Sequence, residues 1–307
     1  MILLWGLPGD RPLAMVRDAL RRRGCRLALF DQRATPRATL ALRVDERVHG
    51  SLAWDGIAVP FADVAAAYLR PYDSRRLPAV AAAGPGSAIW RHAMAVEDAL
   101  AAWAEVTTAR VINRPAAMAA NNSKPYQLTW IRSLGFQVPE TLITTDPEAA
   151  FAFWQRHGAV VYKSLSSVRS IVTRLSSEHI ARVEDVVWCP TQFQAYVTGT
   201  DVRVHVVGDE AFACRIVSEC DDYRYAGLRG GSVRIEACAL DEGLAHRCRM
   251  LAGAMGLLVA GIDLRETPEG EWFCFEVNPA PGFSYYQDAT GQPIDDAIAA
   301  LLARPGA

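Results

Sequence analysis

The runs Gly261-Ile262-Asp263-Leu264-Arg265 and Phe273-Cys274-Phe275-Glu276-Val277-Asn278-Pro279, joined through Thr267-Pro268-Glu269-Gly270, decide how this chain is read. Both runs are strand-like, and the Pro/Gly turn between them predicts a β-hairpin. Glu276 and Asn278 alternate with Val277, so their side chains share one face of the strand. A hairpin centred on the Pro268–Glu269 bond sets Asp263 opposite Cys274, one diagonal step from Glu276 on the same face. Two carboxylates and an amide oxygen then converge between apolar strands. Mutually repelling buried carboxylates need a counter-charge. A hard divalent cation supplies one, and magnesium held by carboxylates together with nucleotide phosphates is the usual form. An ordinary hairpin would turn the same residues to solvent, so the surroundings must decide.

The chain has 307 residues, 51% hydrophobic and 21% charged, which fits a folded protein of two or three domains. Acidic residues outnumber basic ones by 34 to 32, a balance that gives no electrostatic reason to expect nucleic acid or an anionic membrane as partner. No apolar run reaches the roughly 18 to 20 residues that span a bilayer. The opening MILLWGLPGDR lacks a basic n-region, so a secretory signal is not expected. Seven cysteines without a C-x-x-C pair suit reduced thiols in a cytoplasm, and the six dispersed histidines have no zinc spacing. Of the basic residues only Lys124 and Lys163 are lysine, the rest being arginine. Two lysines in so arginine-rich a chain are either chance survivors or marks of places where a compact ammonium is needed rather than a planar guanidinium, and their surroundings decide.

Strand-like Ile2 to Trp5, helix-periodic Arg11 to Arg23 and strand-like Arg26 to Phe30 open the chain as β-α-β. Another strand is predicted at Val64 to Leu69, a long helix at about 88–106 and a strand at Arg110 to Ile112. G-x-G-x-x-G is absent, which argues against a nicotinamide oxidoreductase. At Asn113-Arg114-Pro115 the pattern changes, and a domain boundary is placed there. Ser123 caps a helix to about Ser133 with Pro125 in its first turn. Strands and helices alternate from there to a closing helix at about 294, with strands at Ala159 to Lys163, Ile171 to Leu175, Gln192 to Val197, Val202 to Val207 and Ala211 to Val217. The expected class is α/β followed by α+β.

Lys163 ends an apolar strand and leads into Ser164, Ser166, Ser167 and Ser170, a donor-rich loop suited to phosphate. Lys124 starts a helix, where backbone amides also favour anions. Arg203, Arg215, Arg224 and Arg229 follow, the first two expected on neighbouring strands at same-direction positions.

From about Asn113 onward the sequence resembles the ATP-grasp superfamily, most closely the RimK-type ligases. The resemblance rests on Gln194-Ala195-Tyr196-Val197, Asp201-Val202-Arg203, Asp222-Tyr223-Arg224, Arg229-Gly230-Gly231, Val259-Ala260-Gly261-Ile262-Asp263 and Glu276-Val277-Asn278-Pro279-Ala280-Pro281-Gly282, in order. It implies an ATP-grasp fold with a doubly wound pre-ATP domain at 1–112, a small subdomain at 113–190 and a large one at 191–307, with the nucleotide between the last two. It implies ATP and magnesium, or manganese in its place, as cofactors. Lys124, Lys163, Ser166 and Ser167 would hold phosphates, and Gln194, Ala195, Tyr196, Val197 and Asp201 the rest of the nucleotide. Asp263, Glu276 and Asn278 would bind the metal, while Arg203, Arg215 and Arg224 would face the γ-phosphate and the substrate carboxylate. The implied reaction joins a carboxylate donor to an amine acceptor, an amino acid or a peptide, through an acyl phosphate. Many relatives are homo-oligomers.

Two features depart from the family: the loop after Lys163 lacks its glycines, and Ala195 stands where many relatives carry glutamate. Related enzymes that close lactones or lactams in ribosomal peptides are a second reading, to which Ala66-Ala67-Tyr68-Leu69-Arg70-Pro71 bears a loose similarity. A nucleotide-binding sensor without ligase activity is a third.

Overall fold

Ile2–Gly6 (β1) is buried at every position because both faces of its sheet are covered. The computed structural model describes residues 1–46, 48–119, 123–164, 172–218 and 232–304. After β1 come α1 (Arg11–Arg22), β2 (Leu27–Asp31), β3 (Thr39–Val44), β4 (Val48–Trp54), β5 (Ile57–Pro60), β6 (Ala66–Arg70), α2 (Pro78–Ala83), α3 (Ala88–Val106) and β7 (Arg110–Ile112). Asp10 caps α1 through the Leu13 amide, and Ser87 caps α3 through that of Trp90. The parallel strands run in the order β2-β1-β6-β7. Helix α1 packs Leu13, Val16 and Leu20 on one face, and α3 packs Leu100 and Trp103 on the other. This is the doubly wound opening expected from the sequence.

One element group escapes that expectation. No strand is predicted between Phe30 and Val64, yet β3, β4 and β5 form an antiparallel sheet there. The readable signal is Asp55-Gly56, with φ values of 43° and 81°, a two-residue hairpin turn between alternating apolar positions.

The chain continues through α4 (Pro115–Ala119), α5 (Lys124–Ser133), β8 (Thr141–Thr144), α6 (Pro147–His157), β9 (Val160–Ser164), β10 (Thr173–Arg174), α7 (Ser177–Ile180) and β11 (Thr191–Ala195). Here the antiparallel order is β10-β9-β11-β8, with α6 packing on Val160 and Phe193. A five-stranded antiparallel sheet follows, ordered β14-β13-β12-β15-β16. Its elements are β12 (Thr200–Val207), β13 (Glu210–Ser218), β14 (Val233–Cys238), α8 (Glu242–Ala254), β15 (Val259–Glu266) and β16 (Trp272–Asn278). Helix α8 covers one face through Leu244, Cys248 and Leu251. Helix α9 (Ser284–Thr290) packs Tyr286 against Cys214 and Ile216 on the other. Helix α10 (Ile294–Ala303) then returns to α1, so Ile294, Ile298 and Leu302 share a core with Leu4, Leu13 and Val207. No described helix is long and apolar enough to cross a membrane.

Asn113 closes this arrangement. Its buried amide donates to the carbonyls of Val259 and Pro279, each at 2.6 Å, and accepts the Leu258 and Val259 amides at 2.9 and 3.2 Å. One side chain thus ties the end of β7 to the start of β15 and the exit of β16. Removing it leaves several buried backbone groups unpaired, each at a cost of about 1–3 kcal/mol. Asn113→Ala should therefore lose at least about 3 kcal/mol of stability in urea titrations, and a loss below about 1 kcal/mol would contradict this role.

Candidate active site

The hairpin forms, but its register differs from the simple one. A bulge between Asp263 and Leu264 leaves Leu264 opposite Cys274 and brings Asp263 directly opposite Glu276. Cross-strand partners leave a sheet on the same face. Arg203 pairs with Asp263 from the other side of β15, and Asn278 stands opposite Gly261. Arg203, Asp263, Glu276 and Asn278 therefore occupy one face, away from α8.

Each carboxylate has a cation. Arg203 Nη1 donates to Asp263 Oδ1 at 2.6 Å, and Lys124 Nζ donates to Glu276 Oε1. Lys124 lies in the first turn of α5, where a positive charge opposes the helix dipole. Its contact with Glu276 compensates, and Gln127 anchors the same helix. The Gln127 amide donates to the Val277 carbonyl at 2.8 Å and accepts the Val277 N–H at 3.2 Å, completing the outer edge of β16.

Lys163 approaches from the smaller sheet. It pairs with Gln192, so Lys163, Gln192 and Gln194 share the face opposite α6. Lys163 is buried. Burial pushes the Glu276 carboxyl up, but Lys124, Lys163 and Arg203 more than reverse this and hold it below the usual carboxylate range. Among the described residues three cations thus meet two carboxylates, an arrangement that suits a polyanion.

The segment after β11 is clamped by Arg265. Its guanidinium donates to the Val197 carbonyl and to Asp201 Oδ1, both at 2.7 Å. The Tyr196 ring lies 3.9 Å from Arg174 Cζ and 5.6 Å from Arg265 Cζ. Ala195 N–H donates to Glu140 and Tyr196 N–H to Ala159, so both amides are engaged within the protein. Gln194 donates to Thr141 Oγ1 at 3.0 Å.

One expected site residue lies elsewhere. Arg215 pairs with Val202, not Arg203, and so leaves on the opposite face, where it is half-exposed and bonded to Glu266 at 3.1 Å. The expectation that Arg203 and Arg215 point the same way fails because one step along a strand reverses the side-chain direction. Ser166, Ser167, Arg224 and Arg229 lie outside the described residues.

Other contributors have weak sequence signals. Arg70, at the end of β6, pairs with Asp10 at 2.5 Å and donates to the Pro281 carbonyl at 3.2 Å, holding the loop after Asn278. Gly261 has the clearest physical reason: a Cβ there would meet Arg203 Nη2 at 1.9 Å and Pro281 Cβ at 2.8 Å. Asp263, Glu276 and Asn278 supply hard oxygen donors on one face and fit a divalent metal completed by water or phosphate oxygen. The Asn278 Oδ1 accepts the Ala280 amide at 2.9 Å.

Two α+β units whose cations meet around one carboxylate pair, joined to a parallel α/β unit, define the ATP-grasp class. Residues 122–302 match the model of the RimK-like ATP-grasp domain, and the chain belongs to that family. The ATP-grasp ligase PsnB, solved with minimal precursor, Mg and ADP, is 30% identical and superposes with a TM-score of 0.79, covering 98% of this chain and 96% of that one. Macrocyclase MdnC from Microcystis aeruginosa MRC, solved with precursor peptide MdnA, shares the fold at 21% identity and a TM-score of 0.79, with 99% of both chains covered. A probable alpha-L-glutamate ligase of Rhodopirellula baltica is 39% identical over 108 residues, 35% of this chain and 26% of that protein. Two further ligases of that description match over 36% and 64% of their own length.

Gly261→Ala should destabilise the protein by about 1–3 kcal/mol through this overpacking. Adding Arg203→Ala should recover much of the loss in thermal melts, whereas additive losses would mean the two groups do not compete for space. Glu276 also carries a pH signature. Because its folded-state pKa is depressed, its stabilisation is complete above the unfolded value of about 4.3 and fades as pH falls toward the folded value. In urea titrations from pH 7 to 3, wild type should exceed Glu276→Gln at neutral pH and the gap should close in acid. A pH-independent gap would overturn the assignment.

Proposed function

We propose that this protein is an ATP-dependent ligase that joins a carboxylate to an amine, with a peptide supplying at least one of the partners. The observation that carries the reading is the convergence of Lys124, Lys163 and Arg203 on the facing carboxylates Asp263 and Glu276 between two sheets. Phosphoryl transfer needs positioning and charge neutralisation more than a protein nucleophile, and this cluster offers both.

In this reading Lys124 and Lys163 hold the ATP phosphates. The segment Gln194 to Val197 holds adenine, with the Val197 N–H as donor, since the Ala195 and Tyr196 amides are already engaged. Asp201 keeps Arg265 in place beneath it. Asp263, Glu276 and Asn278 would hold magnesium, or manganese in its place, whose charge would offset that of the phosphates. Ser166 and Ser167 cover the phosphates, and Arg224 joins Arg203 at the transferred group. The substrate carboxylate oxygen attacks the γ-phosphorus as its bond to ADP breaks, giving an acyl phosphate. The amine then attacks the carbonyl, phosphate leaves, and the amine proton goes to solvent. Arg203 stabilises the charge that builds on the departing phosphate.

The 30% identity to precursor-bound PsnB supports a peptide over two free amino acids. The match to precursor-bound PsnB runs through nearly the whole chain, including the pre-ATP domain proposed at 1–112. Lactone or lactam closure within a precursor is therefore the nearer alternative to amino-acid addition. The cysteines free of disulfides among the described residues fit a reducing cytoplasm.

The test is ADP release with magnesium, ATP and hydroxylamine, which traps an acyl phosphate without the true amine. Activity should appear with a carboxylate-bearing peptide and fall at least about a hundredfold in Lys163→Ala. Stimulation by free amino acids alone would overturn the peptide assignment, and nucleotide binding without turnover on any acid would favour a sensor.

A further inference from the structure

Arg203 is held by more groups than its pair with Asp263 requires. His205 lies two positions along β12, on the same face, and is almost completely buried. Arg203 Nε lies 3.5 Å from His205 Nε2, at the outer limit of a hydrogen bond. A proton-bearing Nε directed at Nε2 assigns the imidazole's own proton to Nδ1, which has no partner among the described residues. Burial, and then the charge of Arg203, push the imidazole well below its ordinary pKa, so it is neutral and able to accept.

The imidazole ring rests on Tyr286 of α9, with centroids 4.9 Å apart, and Arg203 Cζ stands 5.6 Å from the centroid of the same tyrosine ring. Gly261 clears the remaining side, since a Cβ there would overlap the guanidinium. Among the described residues, one guanidinium therefore meets Asp263 at its Nη1, His205 at its Nε, the ring of Tyr286 nearby and the bare Cα of Gly261.

The Nδ1–H, without a partner among the described residues, is the informative feature. A phenylalanine or leucine would fill a comparable volume without burying an unsatisfied donor. What neither could do is accept a hydrogen bond from Arg203. A guanidinium on a flexible chain has many rotamers, and fixing its plane before substrate arrives avoids reorganisation at the moment of transfer.

We propose that His205, seated on Tyr286, is a positioning residue that fixes the guanidinium of Arg203 toward the γ-phosphoryl group, so that the site discriminates a nucleoside triphosphate from a diphosphate. The inference rests on the ATP-site reading above and adds to it a specific route to γ-phosphate selectivity.

Calorimetric titration of the full chain with AMPPNP and with ADP, each in magnesium, tests it. His205→Phe should weaken AMPPNP binding at least tenfold and leave ADP within twofold of wild type. His205→Gln, whose amide oxygen can accept from Arg203, should recover most of that loss. In an Arg203→Lys background, where Nε–H is gone, His205→Phe should add less than a further twofold. A merely structural role would weaken both nucleotides alike or add its full effect in that background, and either result overturns the proposal. So does unchanged AMPPNP affinity in His205→Phe. If His205→Phe does not fold, Tyr286→Leu tests the same platform, and equal effects on the two nucleotides would again overturn it. Wild type that binds neither nucleotide would overturn the ATP-site reading itself. Wild type that binds both, with no γ-phosphate-selective loss in the variants, would overturn only the role of His205.

Discussion

Two like charges set directly opposite each other on adjacent strands impose a demand that much of this molecule meets. The bulge in the hairpin brings Asp263 and Glu276 face to face. That pairing is unfavourable without cations close by. The cations come from three separate parts of the chain: Lys124 from the start of α5, Lys163 from the end of β9 and Arg203 from the middle of β12. Their backbones are far apart in sequence, so the carboxylate pair is stable only when both sheets and α5 are in place. The electrostatics of the site and the arrangement of the two α+β units are therefore one constraint.

Neutral side chains hold the frame around those charges. Asn113 and Gln127 use amides as substitute backbone, one at the start of β15 and exit of β16, the other along the outer edge of β16. Arg70 and Arg265 carry charge but do similar work, capping carbonyls on either side of the site. Each satisfies polar groups that would otherwise be stranded where the regular hydrogen-bond ladder stops. The metal-type ligands thus stand on strands held from both ends, which limits their movement in a way loop residues would not share.

Much of the architecture was legible from local signals. The parallel opening, the long α3, the capped α5 and the terminal hairpin all follow from apolar periodicity, caps and turn residues, which act over a few positions. The scarcity of lysine pointed to Lys124 and Lys163, and both face the carboxylate pair. The β3–β5 sheet was missed although Asp55-Gly56 announced it, because its strands are partly exposed and their apolar residues alternate with polar or small ones instead of forming a continuous run. Asn113 was legible only as a domain boundary, and nothing near Asn113 or His205 in sequence tells that they meet Val259 and Tyr286 more than fifty positions away.

The sequence by itself determined the class of fold, the hairpin and the residue types of a polyanion site, since these depend on periodicity and side-chain chemistry. Only the tertiary structure decided which residues share a face. A single bulge changed the partner of Asp263 from Cys274 to Glu276, and a single step of register sent Arg215 to the side away from Arg203. Side chains alternate along a strand, so the direction of every group turns on pairing and bulges set by long-range packing, which no short stretch of sequence contains.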